Sequence, residues 1–271
     1  MKTKYKIFLA KQIYKILSIF FPNNFVCKRR NLNWNIDLSE AIDLHIFLFG
    51  SFEKEIKDTA SKLKLENFKV ILDIGANFGV QTLQFANSFN KSKIFAVEPT
   101  KYAYDKLNKN LKLNPQLSKN IFIDQIFLSS KEKKIPQSVY SSWDLKSFNE
   151  QHPKHKGSKK ETSDSRILTL DEYIASRKIE NVDFIKLDVD GSELEVLKGG
   201  VNFLKKYKPP IFMELAPYLY KEFGYEVDDL LTYLSYFNYK FYDLKNIRPI
   251  KNIKKYSKNI RDGSSKNILI N

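Results

Sequence analysis

Residues 69–79, KVILDIGANFG, decide how the rest of the chain is read. Residues 69–74 form a short apolar run rich in β-branched side chains, the composition of a strand buried on both faces. Gly75 closes it, and helical spacing follows from about Val80 to Asn90. Glycine at such a turn lets the backbone bend tightly and leaves the N–H groups of the next helix open to a ligand.

Outward from this unit the rhythm repeats. Residues 93–98 (KIFAVE) read as a second strand, Tyr102–Leu113 as a helix and 121–128 (IFIDQIFL) as a third strand. Residues 131–166 interrupt the pattern; they are rich in Ser and Lys and contain Pro136, Pro153 and Gly157. An insert of this length without structure inside a domain is a functional loop or a disordered one. Alternation resumes with a helix at about Leu170–Ser176, a strand at 182–188 (VDFIKLD), a helix at about Ser192–Leu204 and a strand at 211–215 (IFMEL). A helix over about Tyr218–Phe237 and strands at 239–244 and 267–270 complete the chain. Before the first unit, 34–38 alternate like a strand, and 40–50 and 52–64 read as helical or mixed. Strands alternating with helices predict a mainly parallel sheet covered on both faces, with ligands bound at the carboxyl ends of the strands. Asp73, Glu98, Gln125, Asp188 and Glu214 stand at those ends.

Glu98 follows the glycine-rich turn at the end of the next strand, where an acid accepts hydrogen bonds from ribose hydroxyls. The turn departs from the dinucleotide fingerprint, with Asn77 at the second glycine and Val80 at the third. A Cβ at Asn77 obstructs a pyrophosphate, and no phosphate-binding P-loop is present. S-adenosylmethionine carries an adenosine and no phosphate, so it suits the turn better than NAD or ATP. Its carboxylate is expected near helical N–H groups and its ammonium near an acid such as Asp73.

The runs VILDIGANFGVQTLQFA and IFAVEP resemble the first motif and second strand of class I S-adenosylmethionine-dependent methyltransferases. VDFIKLDVDGSELEVLKGG with PPIFMEL resembles, more specifically, the FkbM-type methyltransferases, as do RNLNWNIDLSEAIDLHIFLFGSFEKEI and the ending KNILI. The resemblance covers about residues 28–215. It implies a class I Rossmann-like three-layer α/β sandwich, with a mostly parallel seven-stranded sheet and a C-terminal antiparallel strand. It implies methyl transfer from a sulfonium to a hydroxyl of a sugar, glycan or related small molecule. By motif match Asp73, Gly75, Ala76, Asn77 and Gly79 line the cofactor site, with Glu98 and Pro99 at the ribose. Asp124 and Gln125 fall near the adenine by position. Asp190 stands where the family often has Glu, and loop 136–165 matches little, so substrate choice is expected there.

At the reaction centre Asp188 is the first candidate base, with His152 and His155 as loop histidines that closure brings in, or that stay solvated and idle. Lys186 lies two residues before Asp188 on the same strand face and needs a partner, Glu214 or Asp73. Asp188, Asp190, Glu193 and Glu214 offer oxygen ligands to Mg²⁺, although Glu193 is equally a first-turn acid favoured by the helix dipole. No residue is assigned as a dedicated metal ligand. Trp143 either stacks on a sugar face or anchors the loop, and His45 reads as a packed residue.

The formal net charge of +15 resolves by region. Residues 1–30 carry eight basic groups and no acid, residues 240–271 carry nine basic groups and two acids, and the middle is balanced. Forty of the cations are Lys and six Arg, which disfavours a specific nucleic-acid partner. One cysteine, Cys27, and three histidines leave no zinc-finger spacing. The expected organisation is a basic amphipathic segment over 1–30 and a methyltransferase domain over 31–271 with the insert at about 131–166. Residues 5–21 have helical spacing with a broad apolar face, broken by Lys11 and Lys15, and no uncharged run of spanning length. Neither a signal peptide nor a membrane span is read, so a cytoplasmic protein is expected. The segment either packs on its own domain or rests on the anionic inner face of a membrane. A nucleic-acid methyltransferase and a non-catalytic interaction protein are the alternative functions.

Overall fold

Eight strands build the central sheet of the computed structural model, which describes residues 3–53, 68–131, 136–146, 151–162, 164–244 and 247–271. Five run parallel, in the order β5 (Ile121–Asp124), β4 (Lys93–Val97), β3 (Val70–Ile74), β10 (Phe184–Leu187) and β11 (Ile211–Leu215). Beyond β11 lie β14 (Lys266–Ile270), β12 (Phe241–Asp243) and a two-residue edge strand, β13 (Arg248–Pro249). β14 is antiparallel to both β11 and β12, so the last strand of the chain is inserted inside the sheet. The expected seven strands are present, with β13 as an eighth.

Alternate residues of the parallel strands feed two cores. Leu72, Ile74, Ile185, Leu187, Ile211 and Met213 point to one side, where α6 (Leu170–Ser176), α7 (Glu193–Lys198), α8 (Val201–Tyr207) and α10 (Val227–Tyr236) cover them. Ile71, Ile94, Ala96, Phe184 and Phe212 point to the other, under α2 (Ala41–Phe49), α3 (Val80–Ser88) and α4 (Lys101–Lys112). This is the three-layer arrangement that a doubly covered parallel sheet requires. Thr169 opens α6 with a reciprocal capping box to Glu172.

The amino-terminal region adds α1 (Thr3–Phe20) and a hairpin of β1 (Asn24–Arg29) and β2 (Leu32–Asp37). Leu32, Trp34 and Ile36 alternate into the core, as expected for 34–38; β1 alternates only between exposed and half-buried positions, its sequence NFVCKR has no apolar–polar alternation, and the pattern missed it. Asn110 of α4 and Asn114, just after it, accept hydrogen bonds from the N–H groups of Asn35 and Asn33, covering the β2 edge.

Several sequence boundaries shift for local reasons. The run 121–128 breaks at Gln125 into β5 and β6 (Ile126–Leu128), and β6 leaves the main sheet to pair with β9 (Arg166–Leu168). The helix expected over Ser192–Leu204 divides into α7 and α8 at Gly199–Gly200. A Cβ on Gly199 would stand 2.4 Å from the Ser129 carbonyl oxygen and one on Gly200 2.7 Å from Leu170. The helix expected over Tyr218–Phe237 divides into α9 (Pro217–Tyr220), a 3₁₀ turn over Lys221–Phe223 and α10, with Gly224 in the left-handed region between them. The insert is not structureless: β7 (Ser138–Ser141) pairs antiparallel with β8 (Ser158–Glu161), and β9 follows. Most of the mixed stretch 52–64 lies outside the described residues. α5 (Pro115–Ser118) and α11 (Ile253–Lys258) are short connectors. Among the described residues no helix is long and apolar enough to cross a membrane.

Candidate functional site

The strand order reverses beside β3, whose neighbours are β4 on one side and β10 on the other. Above the carboxyl ends of these strands opens a cavity of about 740 Å³, near the upper end of the range for small-molecule sites. Gly75, Ala76 and Asn77 form part of its wall, with Glu98 and Pro99 from the end of β4, Asp188 and Asp190 after β10, and Glu214 of β11.

The turn 75–79 is held by the protein itself. The N–H groups of Gly75 and Ala76 both donate to the Val97 carbonyl. The Asn77 N–H donates to Glu98 at 2.9 Å and that of Phe78 to the Asn77 side chain at 2.9 Å. Asn77 sits at φ 49°, in the left-handed region that Asn tolerates. Gly75, at φ 78°, is needed because a Cβ would lie 1.7 Å from the Asp188 carbonyl oxygen; a Cβ on Gly79 would lie 2.3 Å from Leu107. These glycines serve close packing of the turn against β10 and α4, where the sequence suggested close approach of a ligand. The donors left over come slightly later. Val80 and Gln81, in the first turn of α3, line the cavity, and their N–H groups have no acceptor among the described residues. That is the arrangement that receives an anionic group at a helix start.

Glu98 is buried and oriented by three donors: the Asn77 N–H, and the Thr100 N–H at 2.9 Å and hydroxyl at 2.6 Å. Burial raises its pKa above the ordinary carboxylate range, and the bonds from Thr100 and Asn77 offset this only in part. A carboxylate has about four acceptor positions, so one remains for a ligand hydroxyl. Asp73 differs: it is fully buried below the cavity floor, accepts the Thr82 hydroxyl at 2.6 Å and lies 3.7 Å from the Lys186 ammonium. It does not reach the cavity and cannot meet a ligand ammonium. Gly79 also stays behind the wall. Asp124 is taken by the Tyr173 hydroxyl and the Arg177 guanidinium, each 2.9 Å away, and Gln125 donates weakly to the Pro99 carbonyl at 3.5 Å. Neither lines the cavity; Ile126, Phe127 and Leu128 do.

Lys186 is buried in the middle of the sheet, in register with Asp73. Its ammonium donates to the Gly75 carbonyl at 2.6 Å and lies 3.3 Å from Asp188. Burial pulls its pKa down, but Asp188 and Asp73 together push it up further, so it keeps its charge. Its partners are thus Asp73 and Asp188, with Glu214 outside the pair. Oxygens of Asp188, Asp190 and Glu214 lie within 4.8 Å of one another, an oxygen set of the type Mg²⁺ accepts. Glu193 is not part of it: its carboxylate accepts from the Val189 and Gly191 N–H groups at 3.3 Å each. Burial and the neighbouring acids hold Asp190 and Glu214 well above the ordinary carboxylate range.

The insert supplies Val139, Ser141, Ser142, Trp143 and His155 to the wall. His152 and His155 are buried and stacked, ring centres 4.0 Å apart. His152 Nδ1 accepts from the Lys154 and His155 N–H groups at 3.2 Å, which fixes the proton on Nε2; Nε2 then donates to Glu222 at 2.8 Å. Both nitrogens are used, so His152 takes no proton from a substrate. His155 Nδ1 accepts the Gly157 N–H at 3.1 Å, leaving Nε2–H as a buried donor with no partner among the described residues. Burial, with His152 alongside, lowers its pKa to about 4. The expectation of a loop general base is therefore corrected: His155 is a neutral donor on the wall. Trp143 anchors the loop, its indole N–H donating to the His155 carbonyl at 2.6 Å. Tyr218, whose ring lies 6.0 Å from that of His155, lines the same end and was missed from sequence, as were Val80 and Gln81.

Residues 73–241 match the family described as Methyltransferase FkbM domain. The chain is 33% identical over 156 residues to Methyltransferase sdnD of Sordaria araneosa, covering 48% of this chain and 59% of the relative. It is 29% identical over 143 residues to the hexuronic acid methyltransferase AglP of Haloferax volcanii, covering 52% and 53%. The chain thus spans little more than half the length of these relatives. Among solved structures, the methyltransferase FkbM from Methylobacillus flagellatus KT superposes with TM-score 0.43 at 15% identity, covering 76% of this chain and 44% of that one.

Proposed function

The chain belongs to the FkbM methyltransferase domain family, and from that membership we propose that it transfers a methyl group from S-adenosylmethionine to a hydroxyl oxygen of a sugar-like acceptor. The observation that carries the reading is the composition of one cavity. Its wall holds the N–H groups of Val80 and Gln81, without an acceptor among the described residues, and the oriented carboxylate of Glu98, together with Asp188, Asp190, Glu214, Tyr218 and His155. The first set suits the cofactor: Glu98 would accept from the ribose hydroxyls and the start of α3 would receive the aminoacyl carboxylate. Ile126, Phe127 and Leu128 give an apolar bed for the adenine. When bound, the cofactor supplies an electrophilic methyl group on a sulfonium.

The second set suits a hydroxylated acceptor. Asp188, 3.3 Å from the Lys186 ammonium, is the base that accepts the acceptor's hydroxyl proton. Asp190 and Glu214, which hold protons more tightly than ordinary acids, and the unpartnered Nε2–H of His155 are hydrogen-bonding groups for neighbouring acceptor oxygens. Alignment of the acceptor oxygen by such contacts is worth roughly 7–11 kcal/mol of barrier. AglP is named for action on a hexuronic acid, which agrees with a sugar-like acceptor.

The test is incubation of the protein with methyl-labelled S-adenosylmethionine and separated glycan, lipid and RNA fractions. Alkali-stable label in hydroxylated carbohydrate is the expected result. Label in RNA alone, or no binding of S-adenosylmethionine by calorimetry, removes the reading.

A further inference from the structure

We propose that α1 is an interfacial helix that seats the protein on an anionic membrane surface. Its inner face is conventional: Ala10, Ile13, Tyr14 and Leu17 pack against the core. Its outer face is not. Tyr5, Phe8, Leu9, Ile16, Ile19 and Phe20 are all more than half exposed, Ile19 at 77% and Phe20 at 74%. At about 100° per residue these six side chains fall within one arc roughly 120° wide along the helix, in which the exposed Gln12 is the one polar residue. A helix on the surface of a globular domain ordinarily turns its polar face outward; this one carries six apolar side chains there, with Gln12 among them. Leu48 and Phe49 of α2, also exposed, continue the stripe.

Charge selects the occupant. Lys15 borders the stripe on one side, with Lys11 beyond it in the field of Asp144, and the first thirty residues contain eight cations and no acid. Lysine stems lie along apolar surface while their ammonium groups reach outward. A second copy docking by twofold symmetry would bring two such cationic segments together with no acid in either to offset them. A bilayer with anionic headgroups satisfies both features at once, taking the apolar stripe into its boundary region and the lysines into its negative surface potential. α1 would lie in the surface plane for about 27 Å.

The position of the stripe relative to the cavity makes the docking consequential. Leu9, Leu48 and Phe49 are exposed members of the stripe and also line the cavity. A docked α1 therefore sets the mouth of the cavity against the headgroup layer.

The test needs no catalysis and so stands or falls apart from methyl transfer. The whole chain is sedimented with vesicles of phosphatidylcholine and with vesicles in which part of it is replaced by phosphatidylglycerol. Expected are binding to the anionic vesicles that salt weakens, little binding to the neutral ones, and a loss of roughly tenfold or more on I19E/F20E. I19L/F20L should bind like the parent, and equal circular-dichroism melts for both variants would exclude misfolding as the cause. Absence of binding, equal binding to neutral vesicles, or undiminished binding by I19E/F20E overturns the proposal. A lipid-free dimer that I19E/F20E dissociates also overturns it, assigning the stripe to contact between copies.

Discussion

At the scale of single residues, the acids at the strand ends divide by what holds them. Asp73, Glu98, Asp188 and Glu214 were all legible in the sequence, because a strand-turn-helix unit is local and its end positions can be counted. Their different fates were not legible, because they depend on register. The pairing of Lys186 with Asp73 across β10 and β3 holds Asp73 under the floor, while Asp188, one step beyond the strand, reaches the cavity. The neutrality of His155 likewise follows from the Gly157 N–H and from burial, neither of which the loop's polar composition announces. Two substitutions should separate the roles. Glu98→Ala should weaken S-adenosylmethionine binding about 10–150-fold in calorimetry, the worth of hydrogen bonds to a charged group. Asp188→Asn should lower kcat by about 10²-fold or more while the cofactor Kd changes little. With Lys186 already supplying countercharge to Asp188, turnover is expected to persist in excess EDTA; loss that Mg²⁺ restores would assign the three carboxylates to a metal.

At the scale of elements, sequence periodicity found nearly every strand and helix of the sheet and misjudged where they stop. The errors share a cause: the breaks at Gln125, Gly199 and Gly224 answer to neighbours distant in sequence or to backbone conformation, and leave the apolar spacing on either side intact. The insert was the larger error, since the β7–β8 pair, SVYS and SKKE, is mostly polar with little apolar alternation. It is fastened at its far end by the bond from His152 to Glu222 of the 3₁₀ turn, and it carries Ser141 and His155 to the cavity. Glu222→Ala should loosen that wall without touching the cofactor end. KM for the acceptor is expected to rise several-fold with the S-adenosylmethionine Kd unchanged; parallel changes in both would mean that the pin supports the whole site.

At the scale of the molecule, buried groups with displaced pKa values give stability a pH dependence with two opposed components. His155, depressed to about 4, contributes stability above about pH 6.5 that is lost as pH falls through 4, because the unfolded chain binds a proton that the folded one refuses. Glu193, raised to about 7 chiefly by burial and by Asp188, contributes in the opposite sense: its stability is present below about pH 4.5 and lost as pH rises through 7. Thermal melts of His155→Gln and Glu193→Gln, each compared with the parent between pH 4 and 7, should therefore show differences of opposite slope. Each component amounts to roughly 3 kcal/mol at most. Slopes of the same sign would mean that one of these groups titrates normally in the folded protein.

β14 has a consequence for the order in which the molecule can be finished. It is made after the seven other strands of the sheet, yet it sits inside it, between β11 and β12. During synthesis β11 therefore waits with an open edge, and the β12–β13 pair stays unattached to the sheet, until residues 266–270 have left the ribosome. An interrupted or proteolytically shortened chain would expose two unpaired strand edges at the centre of a sheet, the surface that other chains most readily extend. Closure of the sheet thus depends on the five residues of β14.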